Sequence, residues 1–355
     1  MKFYFSSMYL KEKIESIEDV INKLEPDVIQ LHLDSNICIY LREFYREPSK
    51  TVSDAVLWNE LKNLLKHIKQ YDIEVDFTLG VEESCRNLNN FEINEDKAKE
   101  ALNNIGALLD MDFLQIIEHS KLIQFSEPVK DTSQRQSSKM ASLNQPSSFQ
   151  NLMFLSYACL LKLYLIYNDT TEPSNSKKMI NYLDFLSNEL DLMSVAHVSY
   201  GHLLLSGYPR AKDLIHPRKK TIEHIIHGIW NASIDLSFPT LVSGTLISDK
   251  KVSVFVTRDE LLWKIFDSMK LRFMFTNGDK SVYPPMVELD YSNFKWSEDE
   301  IDEIHKYHSK IQEERRYKFI LAPESNEARL DRLRRLCFTL ENNVKNYLKE
   351  QKGLN

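Results

Sequence analysis

Four places in this chain set a carboxylate at the end of an apolar segment or on a helix. Asp34 follows the run DVIQLHL, Glu82 and Glu83 follow IEVDFTLG, Asp235 stands in WNASIDLSF, and Asp259 comes two residues after VSVFVT. Carboxylates gathered together repel one another and resist ionisation unless cations join them. Three or four such groups are hard oxygen donors suited to Mg²⁺ or Mn²⁺. Those ions activate water and neutralise charge on a phosphoryl group, so the set points to metal-assisted hydrolysis. Taken singly, Asp34 and Asp259 also have an ordinary use, as caps for the helices that begin after them.

The elements that must position these residues follow from periodicity. KFYFSSMYL reads as a short edge strand or the entry to a helix. Ile14, Ile17, Val20, Ile21 and Leu24 recur at helical spacing until Pro26. Asp27–Leu33 alternates as a strand and runs into the helix ICIYLREF, with Asp34 or Ser35 as its cap. A helix over Asp54–Gln70 and a strand over Ile73–Leu79 complete a β-α-β unit with parallel strands. Helical patterns fill the region from about 87 to 126. Ser126–Gln150 is polar and aperiodic, a long flexible loop. Residues 152–167 and 178–195 read as buried helices. The α/β pattern returns with a helix over Thr221–Ile234, the strand Val252–Thr257 and the helix LLWKIF. The tail from Ser297 to Lys352 is charged and helical, striped by Leu330, Leu333, Leu336 and Leu340. In an open parallel sheet, ligands bind at the carboxyl ends of the strands, where Asp34, Glu82 or Glu83, and Asp259 emerge.

These segments resemble a known family. VIQLHLDSNICIYLREF looks like the opening motif of PIN-like nucleases, an apolar strand ending in Asp-Ser-Asn before a helix. LGVEESCRNL resembles their second motif, whose register favours Glu83 with Glu82 next. WNASIDLSF resembles the third, and VSVFVTRDELLWKIF, with its Thr-x-Asp, the last. The resemblance covers roughly residues 27–88 and 221–270. It implies a PIN-like three-layer α/β fold with a central, mainly parallel sheet. It also implies catalytic and metal-binding roles for Asp34, Glu83, Asp235 and Asp259, with Glu82 as an alternative ligand and Asn231 as a further candidate. The long span between Glu83 and Asp235 requires a helical insertion.

Composition narrows the classes. Of 355 residues, 43% are hydrophobic and 27% charged, which excludes a disordered chain. No apolar run reaches the ~18 residues of a membrane span. Four dispersed cysteines, with no CxxC, fit neither a disulfide framework nor a zinc ribbon and point to a cytoplasmic protein. The chain lacks GxxxxGK[ST], GxGxxG and GxSxG, so phosphate-loop, dinucleotide and serine-hydrolase chemistries lose their signal. A net charge of −7 speaks against a polybasic binder, although Arg210, Lys212, Arg218, Lys219 and Lys220 form a local basic run. Arg258 and the run 218–220 are candidates for holding flanking phosphates. His197, His202, His224 and His227 lack metal-site spacing and read as core or helix-face residues. Arg210 and His216 match the R-x₄₋₆-H signature of HEPN ribonucleases, which work without metal, although Pro217 and the nearby Gly207-Tyr208-Pro209 fit poorly with the continuous helix that family uses. Cys85, beside Glu82 and Glu83, makes a poor nucleophile.

The resulting expectation is a PIN-like domain over 1–90 and 221–290. A helical insertion would occupy 91–220, with its loop at 126–150, and a helical extension would occupy 291–355. Its function would be metal-dependent cleavage of nucleic acid, RNA more than DNA, with Mg²⁺ or Mn²⁺ as cofactor. A protein partner or self-association could use the insertion and the tail helix. The other readings are a module of this fold that binds RNA or protein without cleaving, and a metal-independent HEPN-type ribonuclease.

Overall fold

The computed structural model of the chain describes residues 2–85, 93–125, 146–191, 194–216, 221–242, 251–273, 276–277, 280–281, 286–321 and 326–352. It divides into two compact units, 1–145 with 240–288 and 146–239 with 289–355. The expected boundaries differ from these in three places, the first being residues 221–239, expected with the sheet but placed in the helical unit. Residues 93–125, assigned to an insertion, belong to the unit that carries the sheet. The tail, assigned to a separate extension, belongs to the helical unit.

The first unit is mixed α/β with a small mixed sheet. Strands β1 (Tyr4–Ser6), β2 (Ile29–Leu33), β3 (Glu74–Asp76) and β4 (Val252–Thr257) lie in the order β1-β4-β2-β3. β2 runs parallel to both neighbours, pairing Leu31 with Val254 on one side and Val75 on the other, and β1 closes the far edge antiparallel to β4. Alternation along β2 sends Ile29, Leu31 and Leu33 to one face and Gln30, His32 and Asp34 to the other. All six are buried. The apolar face meets α1 (Ile17–Lys23), α2 (Ser35–Arg46), α4 (Ala55–Tyr71) and α5 (Thr78–Ser84) in one core. Between α2 and α4 lies the short α3 (Pro48–Ser53), and α6 (Glu95–Asp110) and α7 (Phe113–His119) add Ile105, Leu108 and Ile116 to the same core. The strand expected over Ile73–Leu79 is shorter than its apolar pattern. Asp76 accepts the Thr78 amide (2.9 Å), which turns the chain out of the sheet and starts α5 there.

The second unit holds α8 (Pro146–Asn168), α9 (Asn175–Asp184), α10 (Val195–Leu205) and most of α11 (Ile222–Val242). In the first unit, α12 (Glu260–Asp267) follows β4, β5 (Met269–Phe273) pairs with β8 (Met286–Leu289), whose residues up to Glu288 lie in that unit, and β6 (Thr276–Asn277) pairs with β7 (Lys280–Ser281). The tail forms α13 (Glu298–Leu321) and α14 (Asn326–Lys352). Of the loop expected over 126–150, residues 126–145 lie outside the described residues. Residues 146–150 are helical instead, because Pro146 is tolerated in a first turn. The leucine stripe of the tail is used internally: Leu333 and Leu340 are buried, and Tyr157 donates to Glu341 across α8 and α14 (2.8 Å). Among the described residues, no helix is long and apolar enough to cross a membrane.

Two histidines sit fully inside this helical unit. His197 lies between Ser156 (2.7 Å) and Ser194 (2.6 Å). His202 accepts the Trp296 indole N–H at Nδ1 (3.0 Å), stacks on Phe294, and has Tyr291, His305 and His308 around it. Burial pushes both imidazoles down to about 3, with the two neighbouring histidines adding to the effect at His202. In the unfolded chain each would take up a proton near 6.5, so the folded state loses stability as pH falls from there toward 3. Each histidine contributes a slope of ~1.4 kcal/mol per pH unit in that window. Urea unfolding at pH 7 and pH 5 should show a large loss that His202→Gln reduces. Equal stability at both values would contradict the burial described.

Candidate metal centre

The parallel register of β2 and β4 decides where the acids emerge. Leu33 pairs with Val256, and the Asp34 amide continues the ladder to the Val256 carbonyl (3.0 Å), which leaves Asp34 level with Thr257. The Thr257 hydroxyl, fully buried, donates to Asp34 Oδ2 (2.7 Å) and accepts the Asp259 amide (2.9 Å). Asp34 Oδ1 accepts the Ser35 amide (2.8 Å), and Asn36 adds a bond to Oδ2 (3.1 Å). Asp34 therefore caps α2. Asp259 caps α12, its Oδ1 accepting from Leu261 (2.7 Å) and Leu262 (3.3 Å). The ordinary reading of both residues as caps is correct, and it does not exhaust them.

Glu83 arrives from the other side. α5 presses so closely on the end of β2 that a Cβ at Gly80 would lie 2.4 Å from the Leu33 carbonyl oxygen. Glu83 stands three residues on, on the same face of the helix. Its Oε1 accepts the Ser35 hydroxyl (2.9 Å). Helical register thus favours Glu83 over Glu82, which is buried on α5 two residues from Gly80. One hydrogen-bonded chain runs from Glu83 through Ser35, Asp34 and Thr257 to Asp259. Three of the four expected carboxylates share one strand end. Asp235, half-buried, and Asn231, exposed, are carried by α11 in the second unit. Arg258 lies at the Asp259 turn, while Arg218, Lys219 and Lys220 lie outside the described residues.

The electrostatics are those of an acidic site. Burial raises the Asp34 carboxyl above its ordinary value, and the neighbouring Asp259 raises it further, against hydrogen bonds from Thr257, Asn36 and Ser35. The buried Cys38 thiol is pushed well up, first by desolvation and then by Asp34, Glu83 and Asp76. Cys38 therefore marks a place surrounded by acids. It also reveals a carboxylate that the motif reading missed: Asp76 ends β3 beside His32, with Oδ2 3.7 Å from His32 Nδ1. Its signal lies in DFT, where an Asp that accepts the Thr78 amide turns the strand into a helix.

Arg210 and His216 do not share a helix. Arg210 has a left-handed backbone (φ 65°) before a 3₁₀ turn over Ala211–Leu214, and its guanidinium reaches Asp213 (3.5 Å). His216 packs on Tyr164 and Tyr167. His224 meets the Thr221 hydroxyl (2.6 Å). No family model, curated protein or solved structure matches this chain.

Proposed function

We propose that this protein is a metal-dependent nuclease of PIN-like architecture, acting on RNA in preference to DNA. The observation that supports this reading is the hydrogen-bonded run that joins the Glu83 and Asp34 carboxylates, through Ser35, and the Asp259 backbone amide, through Thr257, at the carboxyl end of two parallel strands. The donor set suits Mg²⁺ or Mn²⁺, being all carboxylate and hydroxyl oxygen. Among the described residues no Lys or Arg pairs with Asp34 or Asp259, and burying the Asp34 carboxylate without a full countercharge is costly. In this reading Asp34, Glu83 and Asp259 hold the ion, and the sequence resemblance adds Asp235. A bound divalent ion supplies an acidified water and charge neutralisation at the phosphoryl oxygens. Thr257 and Ser35 keep the Asp34 and Glu83 carboxylates in place, and the Leu261 and Leu262 amides hold Asp259, so little reorganisation accompanies binding.

Two measurements test the reading together. Labelled single-stranded RNA should be cut in Mn²⁺ or Mg²⁺ and left intact in EDTA. Mn²⁺ should also raise the melting temperature, because an ion that binds only the folded state stabilises it by mass action. Cleavage that persists in EDTA and is lost in His216→Ala would replace this reading with the metal-independent one. Binding of RNA without cleavage in either metal would make the protein a binding module.

A further inference from the structure

Arg258 stands between Thr257 and Asp259, at the strand end where the carboxylates gather, yet it forms no ion pair among the described residues. Its guanidinium lies 4.8 Å from the centroid of the Tyr40 ring, and its Nη1 donates to the Tyr40 hydroxyl. Both side chains are half-buried, Tyr40 on α2 and Arg258 on the turn before α12. A guanidinium near several acids ordinarily closes on one of them through two parallel hydrogen bonds, and its charge is then neutralised. Tyr40 prevents that outcome with groups that carry no negative charge. The ring face attracts the cation and the phenol oxygen takes one N–H. Four of the five guanidinium N–H donors remain for another acceptor. That acceptor should be a compact dianionic or monoanionic oxygen group with fork geometry, as a phosphate has.

We infer that Tyr40 is a positioning residue that holds Arg258 as a seat for a backbone phosphate of the nucleic-acid substrate, beside the carboxylates. This inference rests on the nuclease reading above and adds to it the residue that sets the guanidinium. The pair also explains how a strand end rich in acid can receive a polyanion: one fixed positive charge stands at its rim.

The experiment is fluorescence anisotropy with a short labelled single-stranded RNA, in EDTA so that binding is read without turnover, at several salt concentrations. Arg258→Gln should weaken binding about tenfold and lower the slope of log affinity against log salt by ~0.7, the contribution of one phosphate contact on a single strand. Arg258→Lys should keep the slope while recovering only part of the affinity, because the charge survives and the fork does not. Tyr40→Leu should weaken wild-type binding roughly threefold and cost nothing further in the Arg258→Gln background, with Tyr40→Phe in between. Binding and salt slope unchanged in Arg258→Gln would overturn the phosphate seat alone. Equal losses from Tyr40→Leu in both backgrounds would overturn the positioning role. Wild-type protein with no RNA affinity at low salt would overturn the nuclease reading and this one with it.

Discussion

Asp259→Asn should fold normally and lose the proposed metal-dependent cleavage by at least ~100-fold. The two halves of that result come from different oxygens of one side chain. Oδ1 caps α12 through the amides of Leu261 and Leu262, and asparagine caps a helix as well as aspartate does. The amide nitrogen then takes the place of Oδ2, which makes no hydrogen bond among the described residues. What disappears is the charge that would hold a divalent ion. Asp34→Asn is a less clean variant. Both oxygens of Asp34 accept, one from Ser35 and the other from Asn36 and Thr257. An amide nitrogen must therefore face a donor, at a cost of ~1–3 kcal/mol, offset in part by the removal of a buried charge. Single-turnover cleavage in Mn²⁺ and the Mn²⁺-dependent rise in melting temperature should fail together in Asp259→Asn. A variant that keeps both would remove Asp259 from the ligand set.

Gly80→Ala should destabilise the protein, although alanine is the better helix former by ~1 kcal/mol. The new methyl would lie 2.4 Å from the Leu33 carbonyl oxygen, 2.7 Å from Cys38 Sγ and 2.9 Å from the Asp34 carbonyl carbon. Two of these three atoms are backbone and cannot rotate aside, so α5 must move. Overpacking of this kind costs roughly 1–3 kcal/mol. The same displacement carries Glu83 away from Ser35, and a misplacement of about 1 Å can cost ~100-fold in rate. Chemical denaturation and cleavage at a temperature where the variant stays folded would measure the two effects separately. A gain in stability, as helix propensity alone dictates, would show that α5 does not touch the end of β2.

The parts of the fold that could be read from residues are those where a local rule and a long-range need agree. VSVFVT alternates, ends on an acid that caps the next helix, and forms β4 over the expected residues, Val252–Thr257. DVIQLHL behaves likewise, except that Pro26–Val28 makes a 3₁₀ turn before β2. Where two rules competed, the pattern misled: IEVDFTL is apolar enough for seven residues of strand, yet the Asp76 turn takes the chain away after three. Amphipathic stripes on α6 and α14 announced that one face would be buried without naming its cover, so the unit boundaries were not legible. The Ser35–Glu83 bond and the Tyr40–Arg258 pair join residues far apart in the chain through single side chains, and no periodicity encodes such a contact.

Two helices begin at the candidate centre, α2 under Asp34 and α12 under Asp259. Each brings an amino terminus carrying ~+0.5 of an elementary charge, so the two carboxylates meet a permanent partial countercharge supplied by the backbone itself. The consequence concerns the order of events. In small zinc domains the ion is the folding energy, and chelation unfolds them. Here Asp34 and Asp259 are already tethered and partly neutralised by peptide dipoles, so on the proposed reading the polypeptide would reach its native state before any ion arrives. On that reading, cation occupancy would be a reversible property of a finished protein, free to follow the surrounding ion concentration and to turn the chemistry on or off without dismantling the scaffold.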